Sequence, residues 1–217
     1  MKNPERANWN KQHAVLRRLL MRDRDYARAL PLFLGHHGAV HSAKLGDSDW
    51  SFQDEVLSAL TPEQWRYATL KAPHSVAWKI WHIARIEDVT MNSLLADSMQ
   101  VLHGSNWLAR LEINCVSVGN EQSAEEIIEL SHAINLKALL AYRLAVGRRT
   151  RSIARRLASD ILWQRPAPGR LRRLFAEGAV LERTAWLCAY WGGHPAANLL
   201  LMPASRHCFV HLNEIER

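Results

Sequence analysis

Two pairs of histidines have the spacing that a metal ion could use. His207 and His211 lie four positions apart near the C-terminus, and His37 and His41 repeat that spacing near the N-terminus. On a helix this spacing places two imidazoles on one face, roughly 6 Å apart, so that one ion can reach both. Such pairs also arise often by chance, and each pair alone is a weak indication of a metal site.

A third histidine, His82, lies among apolar residues, where an unpaired imidazole is costly to bury. A single buried histidine is most often hydrogen-bonded within the core. If the helix that carries it packs against the helix of His207 and His211, three neutral imidazoles form a three-ligand site. An open fourth position is then typical of a catalytic ion. The spacing alone leaves this convergence undecided.

An acidic residue, Glu214, shares the helical face of His207 and His211. Its carboxylate could orient an imidazole, complete the coordination, or act as a catalytic base toward water on the ion. A solvent-exposed carboxylate with no role is an equally good interpretation. His37 and His41 are expected to line the same cavity, either as further ligands or, more often for such residues, behind the ligands.

Charged residues interrupt an otherwise apolar helix at Arg85, Glu87 and Asp88, and we expect ion pairs between helices there. Arg206 is expected either to bind an anionic substrate or to bridge to one of these acids. Trp78, Glu87 and Arg206 are therefore grouped with His37 and His41 as residues around the pocket. Cys208 is about 100° away from His207 around the helix, which predicts a packing residue rather than a ligand.

Helical patterns dominate the chain, and alternation typical of strands is lacking. The predicted long helices are Asn10 to Arg22, Asp25 to about Ser42 with a kink or restart at Pro31, Ser75 to about Asp97, a helix opened by Ser123 that stops at Gly147, and Ala204 to the terminus. Shorter helices are predicted from Ser51, Thr61, Arg151, Leu171 and Val180, and loops over Lys44–Trp50, Met99–Gly119 and Trp163–Arg170.

The composition is that of a globular protein, with 48% apolar and 23% charged residues in 217. It excludes a disordered chain, and the length fits one domain, residues 1–217. Thr184 to Ser205 is free of charge and long enough to span a bilayer, but the Gly-Gly-His-Pro sequence at its centre predicts two short buried helices. Three cysteines without C-x-x-C spacing predict reduced thiols in a cytoplasmic protein.

The net charge of +7 is concentrated between Arg143 and Arg173, where ten arginines face a single acid, Asp160. Such a segment could bind nucleic acid, but aromatic residues that would stack on bases are scarce there. Pairing with the acidic helix around Glu121–Glu129 is the preferred interpretation, and nucleic-acid binding is the lesser alternative.

Several long sequence segments resemble the DinB-like family of metal-dependent bacterial proteins. They are SVAWKIWHIARIED (75–88), LLMPASRHCFVHLNE (200–214), FLGHHGAVHS (33–42) and YRLAVGRRT (142–150), so the resemblance extends over about residues 10–217. It implies an all-α, up-down-down-up four-helix bundle, commonly a homodimer. It also implies a metal site, with zinc or nickel, on His82, His207 and His211.

The resemblance leaves the activity open. Some relatives transfer low-molecular-weight thiols, so a thiol transferase or a hydrolase with a small-molecule substrate is expected, with Glu214 as the candidate catalytic residue. The alternative is a non-catalytic stress-response or interaction module with a structural or vestigial metal site. The helices between Gly147 and Pro203 are an addition to the shorter members and could reshape the pocket.

Overall fold

The computed structural model describes residues 4–46 and 50–216, and within these ranges the protein is all-α, as expected. The α-helices are α1 (Pro4–Arg18), α2 (Tyr26–Ala39), α3 (Phe52–Leu57), α4 (Pro62–Arg66), α5 (Val76–Asp88), α6 (Trp107–Leu111), α7 (Ala124–Ala133), α8 (Leu136–Arg156), α9 (Pro168–Ala176), α10 (Trp186–Gly193), α11 (Ala197–Leu201) and α12 (His207–Ile215). Extended pairing in the described residues is limited to one bridge between Thr69 and Ala72.

Wider, π-helical turns prolong three of these helices: Leu19–Asp23 after α1, Val89–Leu95 after α5, and Met202–Arg206 between α11 and α12. Short 3₁₀ turns occupy the connections, at Ala43–Leu45, Val101–His103, Ser159–Trp163 and Glu182–Thr184. The third π-helical turn contains Pro203. A proline cannot donate the ordinary i→i−4 hydrogen bond, and such wide turns are frequent at functional sites.

Side-chain caps explain where half of the described α-helices begin. A serine, threonine, aspartate or asparagine accepts a backbone hydrogen bond at the first turn of six helices, and Thr61 and Ser123 form complete capping boxes. The capping residues are Asp25, Ser51, Thr61, Ser75, Ser123 and Asn135.

Helix α5 lies at the centre of the molecule. It contacts α4, α7, α8 and α12, while α2 contacts α8 and the π-helical turn Met202–Arg206. Eleven of its thirteen residues are buried, from Ala77 to Asp88 with the exception of Lys79. The helix is therefore buried on most sides, as the apolar residues of its sequence predict. Each buried polar side chain of α5 therefore needs hydrogen-bond partners within the protein.

The helix end predicted at Gly147 is wrong, and of the kink or restart predicted at Pro31 the restart does not occur. The chain breaks at Ile134, where Asn135 caps a new helix, and α8 then runs through Gly147 without interruption. Helix α2 likewise continues through Pro31. Gly147 is not a helix stop because it serves close packing: a Cβ atom at this position would lie 2.8 Å from Nδ1 of His41.

Other boundaries shift in smaller ways. The segment Met99–Gly119, expected as a loop, contains α6 and a 3₁₀ turn, and the helix expected from Arg151 is the end of α8. Residues 47–49 of the expected loop Lys44–Trp50 lie outside the described residues. The uncharged stretch Thr184–Ser205 forms α10 and α11, as predicted, and among the described residues every helix is too short or too polar to cross a membrane.

Five of the ten arginines in the arginine-rich segment bind side chains or carbonyl groups elsewhere in the protein. Arg143 donates to Gln53, Arg149 to Asn92 and Arg151 to the carbonyl of Leu34, while Arg170 and Arg173 bind carbonyls at the end of the Val89–Leu95 turn and pair with Asp97. Cations at a helix C-terminus satisfy its free carbonyl groups. These partners differ from the acidic helix that we expected, and they leave fewer charges for a phosphate-binding surface.

Replacing Gly147 with alanine is expected to destabilise the protein by about 1–3 kcal/mol, because the new Cβ atom meets the buried ring of His41. Urea unfolding measures the difference. Gly35→Ala in α2 is the matched control, because its Cβ atom would meet nothing within 4 Å, and it should be neutral or stabilising by up to about 1 kcal/mol. A Gly147→Ala variant as stable as wild type would contradict the close packing.

Candidate metal centre

His82 is held rigidly in the middle of α5. Its ring stacks on Trp78, one turn earlier, with a centroid distance of 4.7 Å and an angle of 7° between the planes. Its Nδ1 lies 2.6 Å from the carbonyl oxygen of Val118. A carbonyl only accepts hydrogen bonds, so Nδ1 must carry the proton, and Nε2 must present a lone pair.

The loop that supplies this carbonyl is fixed by its own contacts. The Val118 amide donates to the carbonyl of Ala179 at 3.0 Å. The next residue, Gly119, has φ of +85°, and a Cβ atom there would lie 2.5 Å from the ring of Trp81. Glycine is therefore required both by the backbone conformation and by the indole packed against it. The acceptor for His82 is built by residues far from it in the sequence.

His207 and His211 face each other on α12. Their Nε2 atoms are 3.1 Å apart, and their rings are nearly perpendicular. Nδ1 of His211 lies 2.9 Å from a carboxylate oxygen of Glu214 and donates a hydrogen bond to it. Because the proton of the neutral ring is on Nδ1, Nε2 of His211 carries a lone pair. His207 must then donate from Nε2 when no ion is bound, and its buried Nδ1 has no partner among the described residues.

The three rings converge from two helices. The centroid of His82 lies 5.0 Å from that of His207 and 5.2 Å from that of His211. One ligand atom from each histidine lies within 4.8 Å of the others. The sequence left this convergence undecided, and the packing of α12 on α5 brings it about.

The protonation states suit ligation. Burial is the main cause that lowers the pKa of His82, to about 3, and with the neighbouring imidazoles it lowers the pKa of His207 well below its usual value. Burial also lowers the pKa of His211, while Glu214 opposes the shift. All three imidazoles are therefore neutral at pH 7, which is the form that binds metals.

Glu214 lies on the far side of His211 from the other two rings. Its carboxylate contacts Nδ1, not the Nε2 side where the three rings meet. Lys79 of α5 approaches the same carboxylate at 3.8 Å and donates to the Glu214 carbonyl at 3.4 Å, so it ties the end of α12 to α5. This arrangement favours an orienting role for Glu214 over the direct ligand or base that the sequence left open.

A second polar cluster lies deeper in the protein. Nε2 of His37 and Nε2 of His41 are each 2.9 Å from a different oxygen of Glu87, and all three side chains are buried. Thr150 donates to the same carboxylate at 2.6 Å, and the guanidinium of Arg143 lies 3.6 Å away. Like the first group, this one has three ligand-type atoms within 4.8 Å of one another.

The other charged residues expected around the pocket have structural partners. Arg85 pairs with Asp88 at 3.0 Å within α5, so this ion pair is not between helices as predicted. The short spacing of three residues allows the pair, and Tyr142 of α8 donates to the same Asp88 carboxylate. Arg206 donates to Asn10 and lies over the ring of Phe209 rather than bridging to Glu87 or Asp88.

Several residues of the site carried no recognisable motif. Val118 acts through a backbone carbonyl, and Lys79 and Thr150 are common residue types in helices. Cys208, predicted to pack, is indeed buried, with its Sγ 3.9 Å from the Glu87 carboxylate. His74 packs against Trp78 in a tilted arrangement, with a distance of 4.5 Å between the ring centroids.

Comparison with known families agrees with this architecture. The family model of the DinB superfamily matches residues 47–202, which is more than half of the chain. The protein therefore belongs to the DinB superfamily, as its sequence phrases indicate. The matched region includes His82 and Glu87 and ends before His207. Among curated proteins no match was found.

The buried histidines predict a loss of stability in mild acid. Burial lowers the pKa of His36 to about 2 and of His41 to about 3, with a similar value for His82, whereas each group in the unfolded chain takes up a proton near pH 6.5. The unfolded state then binds more protons, and the free energy of unfolding falls as the pH drops below about 6.5. Each histidine contributes about 1.4 kcal/mol per pH unit.

Urea unfolding between pH 7.5 and 5 in the presence of a chelator measures this slope. The Glu87 carboxylate, whose pKa is lowered in the folded protein, changes the free energy of unfolding only below about pH 4.5, so it does not affect the slope measured between pH 7.5 and 5. His36→Phe keeps an aromatic ring against Trp9 and should reduce the slope by about one proton. A stability that stays constant over this range would contradict the buried, neutral imidazoles.

Proposed function

We propose that this protein binds one divalent metal ion through His82, His207 and His211. The observation that carries the proposal is the direction of the lone pairs. The Nδ1 protons of His82 and His211 are committed to Val118 and Glu214, so the Nε2 atoms of both rings carry lone pairs, and that of His211 lies 3.1 Å from Nε2 of His207. Anchoring the outer nitrogen of a ligand histidine is the usual way in which proteins orient metal ligands.

The donor set supports a first-row divalent transition-metal ion. Three imidazole nitrogens suit zinc or nickel, in line with the DinB-type resemblance, and fewer than four protein ligands are characteristic of catalytic rather than structural sites. Such an ion supplies Lewis acidity and lowers the pKa of a bound water or thiol. In this chain Glu214 would hold the His211 ring, while the Val118 carbonyl and the stacked Trp78 would hold His82.

The proposed reaction class is transfer of, or to, a small thiol, with hydrolysis as the second possibility. In either reaction the histidines bind the ion, and the carboxylate of Glu214 keeps a proton on Nδ1 of His211 instead of exchanging one with substrate. A homodimer in the cytoplasm and a small-molecule substrate complete the proposal by analogy with DinB-like proteins. A non-catalytic module is the alternative if the purified protein acts on none of these substrates.

Metal analysis of protein purified without an affinity tag tests the site. We expect about one ion per chain and loss of that ion in the His207→Ala/His211→Ala double variant. His194→Ala removes an exposed histidine that directly follows α10, and it should leave the metal content unchanged. Absence of bound ion after incubation with zinc or nickel, or full binding by the double variant, would reject the proposal.

Removing the orienting carboxylate should weaken the site without abolishing it. Glu214→Gln is expected to raise the dissociation constant of the ion by about 10- to 100-fold, as is usual for groups behind a ligand histidine. Competition with a chromogenic chelator measures this change. Glu216→Gln, which removes a carboxylate that pairs with Arg6, is the control. Because the amide oxygen of a glutamine can still accept from Nδ1, Glu214→Ala is measured as well, and an unchanged affinity in both variants would show that the contact does not orient His211.

A further inference from the structure

The buried cluster around Glu87 joins four helices at one carboxylate. Glu87 belongs to α5, His37 lies in α2 with His41 just beyond it, and Thr150 and Arg143 belong to α8. The thiol of Cys208, in α12, lies 3.9 Å from Oε2 of Glu87. A fully buried carboxylate needs several donors in place of water, and this one has them from α2, from the residues just after α2, from α8 and from α12.

The ring nitrogens of this cluster are used in the opposite way from those of the three-histidine site. An ionised carboxylate only accepts hydrogen bonds, so Nε2 of both His37 and His41 must donate to Glu87. Their Nδ1 atoms are buried without a partner among the described residues. Protons, not lone pairs, therefore point toward the centre of the cluster.

An ion between these three side chains would displace two protons onto buried Nδ1 atoms that have no acceptor among the described residues, whereas an ion at the three-histidine site would displace one, that of His207. The cluster also needs no further positive charge. The guanidinium of Arg143, itself buried, lies 3.6 Å from Oε2 and balances the single negative charge of Glu87. A dication would add to the charge of Arg143 at close range.

We propose that the Glu87 cluster binds no ion and that Glu87 is a positioning residue for the metal centre. The proposal rests on metal binding at His82, His207 and His211. Two residues of α5, His82 and Glu87, are five positions apart and thus about 140° apart around the helix. Their counterparts on α12, His207 and Cys208, are successive residues about 100° apart. Helix α12 therefore contacts α5 at two places on its surface: His207 lies against His82, and Cys208 lies against Glu87.

This double contact determines how far α12 is rotated and shifted relative to α5. The histidines contact His82 on one side, and the thiol of Cys208 contacts the Glu87 cluster on the other. Because α2 and α8 bind the same carboxylate, the position of Glu87 is set independently of the metal site. Loss of the cluster would let α12 move and would spread the three ligand atoms apart.

The test is Glu87→Gln, measured for both metal affinity and ligand geometry. A glutamine offers one acceptor oxygen where two imidazole donors need two, so the cluster must rearrange. We expect one ion still to bind, with a dissociation constant at least tenfold higher and a changed visible absorption spectrum of the Co²⁺-loaded protein. Thr150→Val, which removes one donor to Glu87, is a milder second variant with a smaller shift in the same direction.

A general loss of stability must be separated from a loss of positioning. Leu174→Ala in α9 removes a fully buried side chain from a core cluster other than the one that contains Trp78 and Cys208, and it should lower the melting temperature while leaving the Co²⁺ spectrum and affinity unchanged. Equal affinity and identical spectra in Glu87→Gln and wild type would overturn the positioning role. Binding of two ions per wild-type chain, or loss of one of two ions in His37→Gln, would overturn the ion-free cluster.

Nitrogen-15 NMR of the imidazole rings tests the cluster even if no ion binds anywhere. In the metal-free protein at pH 7 we expect His37 and His41 to carry their protons on Nε2, and His82 and His211 on Nδ1. Protons on Nδ1 of His37 and His41 would overturn the inference about the Glu87 cluster. Correct tautomers in a protein that takes up no metal would instead leave the cluster intact and reject the proposed function.

Discussion

The structure depends on the hydrogen bond from the His82 ring to the carbonyl of Val118. A fully enclosed imidazole must place its proton on one nitrogen, and this 2.6 Å contact decides which one. The other nitrogen then carries a lone pair, in a ring whose centroid lies 5.0 Å from that of His207 and 5.2 Å from that of His211. A chain of local requirements supports the contact: the Ala179 carbonyl holds the Val118 amide, and Gly119 allows the loop to pass against Trp81.

The same principle separates the two histidine clusters, which are alike in residue type and spacing. In the three-histidine site two of the three ring protons, those of His82 and His211, are bound by fixed acceptors on the outer nitrogen, whereas both ring protons around Glu87 are donated to the central carboxylate. One cluster is therefore arranged to receive a cation, and the other is complete without it. Helix α5, which is buried among α4, α7, α8 and α12, carries the central residue of both clusters.

The sequence is sufficient for the helical class, for the family and for the histidines of interest, because periodicity, caps and phrases are local. It is insufficient for Gly147, whose packing against His41 involves a residue more than a hundred positions away, and for the acceptor role of Val118, which any residue type could fill. Helix spacing indicated that His37 and His41 share a face. Only tertiary structure shows that this face meets Glu87 instead of the other histidines.

The most direct test is the position of a metal ion in crystals of the protein grown with zinc, located by anomalous diffraction at the zinc edge. The account predicts one strong peak per chain, about 2.0–2.1 Å from Nε2 of His82, His207 and His211. The outer nitrogens of His82 and His211 should still be bonded to Val118 and Glu214. A peak at Glu87 between His37 and His41, or no peak at the three histidines, would contradict it.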